Sequence, residues 1–172
     1  MRKLIGALAV AATVLVPALQ AHASAESGQG SAAIPGRVSG VPADATVPLK
    51  LYRSMANDEN LTTSAQYLVN HRYIRTEGQV RSAQVLGTVA LKTYRHPGRG
   101  DTVTTTGAAP VGYTYSRTEG YVYSAARGGT LSLRLFRSRL GTEHFTAANQ
   151  QSVDEALQAG YIQVRVEGYV YR

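Results

Sequence analysis

The chain has 172 residues, 18 Lys and Arg against 11 Asp and Glu, a formal net charge of +7 and no cysteine. The missing thiols exclude disulfide staples, thiolate catalysis and cysteine-based metal sites, so stability has to come from the core and the backbone hydrogen bonds. The cations are scattered and form no stripe, which speaks against nucleic acid as a partner and for an ordinary solvated surface, with weak attraction to anionic cell-wall polymers as the sharper alternative.

Met1-Arg2-Lys3 is basic, and Leu4 to Leu19 is apolar except for Gly6, Thr13 and Pro17. Ala21-His22-Ala23 then supplies the small-x-small pattern of a cleavage site, so residues 1–23 read as a secretory signal peptide and the chain as a secreted, extracellular one. Pro17 and Gln20 interrupt a run that would need about 20 apolar residues to span a bilayer, and no later segment approaches that length. Cleavage removes Arg2 and Lys3 and lowers the formal charge from +7 to +5. Residues 24–35 are rich in Ser, Gly, Gln and Ala and read as a flexible linker. The rest, 36–172, is long enough for one domain.

From Gly36 onward the pattern is strand-like, and it is written three times. Val47-Pro-Leu-Lys-Leu-Tyr-Arg53 returns as Val89-Ala-Leu-Lys-Thr-Tyr-Arg95 and as Leu131-Ser-Leu-Arg-Leu-Phe-Arg137, each 42 residues after its predecessor. A unit of this size cannot bury its apolar face alone and must pack against its siblings. Within each copy the apolar residues of the first piece alternate, which is a strand with one face inward. Turn-rich links at Asn57–Asn60, Pro97–Asp101 and Gly141–His144 read as hairpin loops leading to second strands at Leu61–Thr63, Val103–Thr105 and Phe145–Ala147. Third strands are expected near Tyr73, Tyr115 and Gln163, and fourth strands after the Glu-Gly steps at Glu77, Glu119 and Glu167.

About four short strands, three times over, is the strand count of a β-trefoil-like barrel, and the expected class is all-β with repeats starting at 47, 89 and 131. The third copy is longer because Ser152-Val-Asp-Glu155-Ala-Leu-Gln-Ala-Gly160 carries a capping box and a terminating glycine, which predicts one short helix there. The first copy offers only a helical turn around Ala65 to Val69. Gly36-Arg37-Val38 is a surplus copy of the fourth-strand position, which is best accommodated if the two ends of the domain lie side by side.

Leu51-Tyr52-Arg53, Thr93-Tyr94-Arg95 and Leu135-Phe136-Arg137, the pair His144-Phe145, the Thr steps and the Glu-Gly steps together make a recurring motif. It resembles that of a bacterial and fungal secreted repeat family of uncharacterised function, whose fuller pattern runs Leu-Tyr-Arg, Asp-His-Phe-Tyr-Thr-Thr-Ser, Gly-Tyr, Glu-Gly. The resemblance covers Val47 to Arg172 and implies a β-trefoil module with a binding or adhesive role, often attached to secreted hydrolases. The His-Phe element is present only at His144-Phe145, replaced by Asn60-Leu61 and Thr102-Val103 in the other copies.

Six acids recur at fixed offsets, Glu59, Asp101 and Glu143, then Glu77, Glu119 and Glu167. Glycosidase chemistry needs two carboxylates in different environments, whereas repetition yields equivalent ones, so these acids read as structural. Arg53, Arg95 and Arg137 are each expected to meet one of these six acids within its own repeat. No catalytic residue, metal ligand set or cofactor site is assigned. The candidate ligand-binding residues are Glu143, His144 and Phe145 together with the tyrosines 121, 123, 169 and 171 (Tyr121, Tyr123, Tyr169, Tyr171), because eleven tyrosines against two phenylalanines and no tryptophan is an unusual balance and an amphipathic ring can stack on a sugar or anchor an interface. Tyr52, Tyr94 and Phe136 read as core. The expected function is a non-catalytic module, monomeric, for a glycan or cell-envelope polymer. The alternative is binding of a secreted protein in the manner of a proteinase inhibitor, and a hydrolase comes third.

Overall fold

The triplication is visible in the order of the elements. The structure, a computed structural model, describes Pro42 and residues 45–172; the expected leader, the linker and the surplus Gly36-Arg37-Val38 copy lie outside the described residues. The first repeat contains β1 (Thr46–Ser54), β2 (Asn60–Thr63) and β3 (His71–Arg81), and the second contains β4 (Thr88–Arg95), β5 (Thr102–Thr105) and β6 (Thr114–Tyr123). The third contains β7 (Thr130–Arg137), β8 (His144–Ala147), the helix α1 (Gln150–Gln158) and β9 (Ile162–Tyr171). The described chain is thus all-β with one short helix, and every strand pairing is antiparallel.

Each repeat has three strands where four were expected. The Glu-Gly step does not end a strand but bulges one. In the first repeat Leu49 faces Gly78 and Lys50 faces Thr76, leaving Glu77 as the additional residue, and a second register shift between Leu51 and Tyr52 leaves Ile74 over. The same two shifts recur in the β4–β6 and β7–β9 pairs. A bulge bends its strand while letting the ladder continue, so the sequence punctuation marks a corner rather than a loop.

At that corner the repeats meet. Gly78, Gly120 and Gly168 have φ of 157°, 143° and 152°, a region that glycine enters without steric cost. A Cβ on Gly120 would lie 2.6 Å from the Arg81 carbonyl oxygen and 2.6 Å from Val80 Cγ2, and Gly168 and Gly78 press in the same way on Val122 and Val170. The three long strands also pair with one another, Arg81 with Tyr121, Tyr123 with Tyr169, and Tyr171 with Gln79. Each contact joins the same two repeat positions, so the set is cyclic.

Two further rings of interaction run through the interior. Thr62, Thr104 and Thr146 occupy one repeat position and are buried, and each hydroxyl donates to the backbone carbonyl of the next: Thr62 to Thr146 at 2.5 Å, Thr146 to Thr104 at 2.5 Å, Thr104 to Thr62 at 2.6 Å. On the other side of the bulge, Leu49, Leu91 and Leu133 gather with Val80, Val122 and Val170 into one apolar cluster. Burying each of these leucines stabilises the fold by about 1.5–3 kcal/mol. The expected inward placement of Leu49, Leu91 and Leu133 and the core placement of Tyr52, Tyr94 and Phe136 agree with this arrangement, whereas Val89 at the start of β4 is exposed.

The helix forms where the sequence places it but is capped differently. Asn149, not Ser152, is the N-cap, its side chain accepting from Gln151 N. Ser152 is buried in the first turn and donates instead to Glu77 Oε1 at 2.5 Å. Gly160, at φ 80°, ends the helix, with its N–H on the Leu157 carbonyl and the Tyr161 N–H on Ala156, the pattern of a Schellman stop. Val153 and Ala156 pack on Phe136 and Phe145, while Leu157 stays exposed. No helical turn forms at Ala65 to Val69. Among the described residues no helix is long and apolar enough to cross a membrane.

Candidate functional site

The bulged acids are bound up in joining the repeats. Glu77 Oε2 accepts from the backbone N–H groups of Ala148 and Asn149, both at 2.8 Å. Glu119 Oε2 takes the Ser64 N–H at 2.6 Å and the Thr63 hydroxyl at 2.9 Å. Glu167 Oε2 takes the Thr106 N–H at 2.8 Å and its Oε1 the Thr105 hydroxyl at 2.9 Å. Each buried carboxylate therefore reaches from its own repeat to the end of the short strand in another, and hydrogen bonds to a charged acceptor are among the stronger ones.

The arginines that meet these acids are not the expected ones. Arg117 and Arg165 pair with Glu119 and Glu167 at 3.5 Å and 2.9 Å, and Arg75 turns instead to Glu155 on the helix at 2.9 Å. Among the described residues no ion pair joins Arg53, Arg95 or Arg137 to a carboxylate. The reason lies in register: Arg53, Arg95 and Arg137 end the first strands, opposite Arg72, Thr114 and Ile162, beyond the bulge where the acids sit.

His144 has a buried carboxylate behind it. Its Nδ1 lies 2.9 Å from Asp101 Oδ2 and its backbone N–H donates to Asp101 Oδ1 at 3.1 Å, while the Tyr113 hydroxyl donates to the same Oδ2. Tyr113 stands edge-on between His96 and His144, at 5.2 Å and 6.2 Å between ring centres. Burial, then the hydrogen bond to Asp101 and that residue's charge, push the Tyr113 phenol well above its usual range. Glu143, the neighbour of His144, accepts instead from the Tyr161 hydroxyl, and burial and Glu143 raise Tyr161 likewise. Glu59 is raised by burial and then by the charges of Asp101 and Glu143, with Asn57 opposing through a hydrogen bond. Among the described residues no group of three or more His, Asp and Glu is arranged to hold a metal ion.

The remaining candidates divide. Phe145 is buried, stacked on Phe136 at 5.6 Å and met edge-on by Tyr161 at 5.2 Å, so it is a core residue beside His144. Tyr123 is buried as well, its hydroxyl 2.9 Å from that of Tyr171 and accepting from Arg81 Nε at 2.9 Å. Arg81, Tyr123 and Tyr171 share one repeat position, and Arg127 lies 4.2 Å over the Tyr123 ring. Tyr121 and Tyr169 are half-buried beside this cluster.

The exposed tyrosines are others. Tyr73 and Tyr115 share a repeat position, 51% and 58% exposed. Each is met edge-on by the core tyrosine opposite, Tyr52 at 5.8 Å and Tyr94 at 6.0 Å, and each hydroxyl is tied to a threonine on its own strand, Thr76 or Thr118, at 3.0 Å. Their equal offset is legible in the sequence. Only the bulge between these residues and the Glu-Gly step, which turns this end of the strand outward, is not.

Three grooves lie where repeats adjoin, and they are built from equivalent positions. The first, of about 480 Å³, is walled by Thr63, Leu68, Thr93, Arg95, Arg117 and Glu119. The second, of about 280 Å³, takes Thr105, Pro110, Leu135, Arg137, His144 and Arg165. The third, of about 290 Å³, runs along α1 and includes Leu51, Arg53, Asn60, Glu143, Glu155 and Tyr161. Ser116 and Ile74, the neighbours of the exposed Tyr115 and Tyr73, line the first and third. Compared with known proteins, the chain matches no family model, no curated protein and no solved structure.

Proposed function

We propose that the three repeats, Val47 to Arg172, form a trefoil-like barrel acting as a secreted, non-catalytic binding module for a carbohydrate or cell-envelope polymer. The cyclic strand contacts, the threonine ring and the cyclic carboxylate bridges support the threefold architecture. The observation that carries the function is the pair Tyr73 and Tyr115. Each presents an exposed ring whose orientation is fixed by a core tyrosine and a threonine, so a sugar face stacks on it with little ordering left to do. Two such rings at one repeat position give two attachment points for a polymer, which multiplies weak single-site affinity. The bulged acids are engaged by backbone amides and hydroxyls, in keeping with a structural rather than catalytic use.

The test is retention of the mature chain on insoluble polysaccharides and cell-wall fractions. Retention is expected on at least one, and Tyr73→Ala is expected to weaken it by about 1–2 kcal/mol, or five- to thirtyfold, with a larger loss in the variant that also carries Tyr115→Ala. No retention on any fraction, or retention unchanged in the double variant, sinks the reading. A second reading, binding of a secreted protein, draws on Leu140, 88% exposed at the tip of a hairpin turn tied by Ser138 to Thr142 and Glu143. It is favoured if Leu140→Asp abolishes inhibition of a secreted protease while polymer retention is absent.

A further inference from the structure

The three grooves share their architecture but not their charge. Glu59 and Glu119 line the first, and Asp58, Glu143 and Glu155 line the third. The second has no carboxylate in its lining and carries Arg137, Arg165 and His144 over an apolar floor of Val103, Leu135 and Val164. The first groove balances its acids with Arg95 and Arg117, and equivalent pockets that differ in charge take different ligands.

The basic side chains of the second groove are held in place. Arg137 and His144 are register partners across β7 and β8, so their side chains share a face at close range. Arg165, opposite Leu135, is fixed by Glu167 Oε1 at 2.9 Å and Thr105 Oγ1 at 2.7 Å. Its guanidinium lies over Gly107, where a Cβ would come within 2.2 Å of Nη2. The other repeats have Ala65 and Asn149 at that position, so only this groove leaves the room. His144 holds Asp101 through Nδ1, and among the described residues its Nε2 has no hydrogen bond.

Resting on the polymer-binding reading above, we infer that the second groove is a subsite for an acidic saccharide unit, a hydroxylated ring bearing a carboxylate. The fork of Arg137 meets the carboxylate in two-point fashion, Arg165 adds the N–H groups left over from Glu167 and Thr105, His144 Nε2 hydrogen-bonds a ring hydroxyl, and the apolar floor takes the ring face. The volume, about 280 Å³, suits one such unit at the lower end of small-molecule sites.

The experiment compares binding of the mature chain to polygalacturonate, a neutral β-glucan and a polyol phosphate polymer, each at low and high salt. Polygalacturonate is expected to bind tightest and to lose affinity as salt rises. Arg137→Gln is expected to weaken that binding about tenfold or more, the effect of losing one charge-assisted contact, and to leave neutral-glycan retention unchanged. Gly107→Ala, which adds a methyl where the Arg165 guanidinium lies, is expected to reproduce the loss while the chain still unfolds in one cooperative transition. Retention of the neutral polymer with no preference for the uronate, a preference for the phosphate polymer, or uronate binding indifferent to both substitutions overturns the subsite alone. Retention of no polymer at all overturns this subsite and the function on which it rests.

Discussion

Replacing Thr104 by valine tests whether the interior ring holds the repeats together by hydrogen bonding or by packing. The hydroxyl is buried and donates to the Thr62 carbonyl at 2.6 Å. Valine keeps the shape but removes the donor, at a cost of about 1 kcal/mol for the bond and about 1–3 kcal/mol where the carbonyl is left dry. The extra methyl returns about 0.8 kcal/mol, leaving a net loss of about 1–3 kcal/mol. Thr93, 2.9 Å away, keeps its own bond to Glu119 Oε1, so the damage stays local. Urea unfolding with an unchanged slope reads the difference, and the melting temperature is expected to fall by about 3–12 °C. Thr104→Ser, which keeps the hydroxyl and gives up the methyl, is the control. If serine proves more damaging than valine, packing and not the hydrogen-bonded ring sets the energetics, and the reasoning fails.

Gly120→Ala is expected to destabilise by about 2–5 kcal/mol, the sum of an unfavourable φ and a Cβ 2.6 Å from the Arg81 carbonyl; a thermal shift of less than a few degrees refutes the close approach. Glu77 is raised above its usual 4.5 chiefly by burial, against the hydrogen bonds from Ser152, Asn149 and Ala148 and the Arg75 charge. The folded state therefore keeps a proton that the unfolded chain has lost, so this residue's contribution to stability falls as pH rises from about 4.5 through the folded value. Glu77→Gln is expected to flatten that slope in urea midpoints measured from pH 4 to 8, and an identical slope in the variant rules the assignment out. Glu155, lowered by the hydrogen bond from Arg75, works in the opposite direction, its contribution fading as pH drops below 4.5.

Much of this molecule is legible in the chain because triplication repeats the same physical constraint. The alternating leucines of β1, β4 and β7, the hairpin links, the short Thr-rich strands and the helix of the third repeat all follow from period and turn chemistry. The strand count does not, because a Glu-Gly pair reads alike whether it ends a strand or bulges one, and only the partner strand decides. The helix cap was hidden for a related reason: Ser152 has a better acceptor in Glu77, 75 residues away in sequence, than its own first turn can offer. For the site, repeat offsets identify Glu77, Glu119 and Glu167 as structural, but a strand pattern alone does not say which tyrosines face water. Tyr123 and Tyr171 are drawn inward by Arg81, and Tyr73 and Tyr115 are turned outward beyond the bulge.

The cyclic carboxylate bridges bear on what a fragment would do. Glu77 serves the third repeat, Glu119 the first and Glu167 the second, so a single excised repeat would carry both a buried acid and the amides that satisfy one, yet could not bring them together within itself. Three copies could. A lone repeat, expressed as a peptide, has every reason to assemble as a homotrimer whose folding depends on concentration, with the chain's covalent links replaced by mass action.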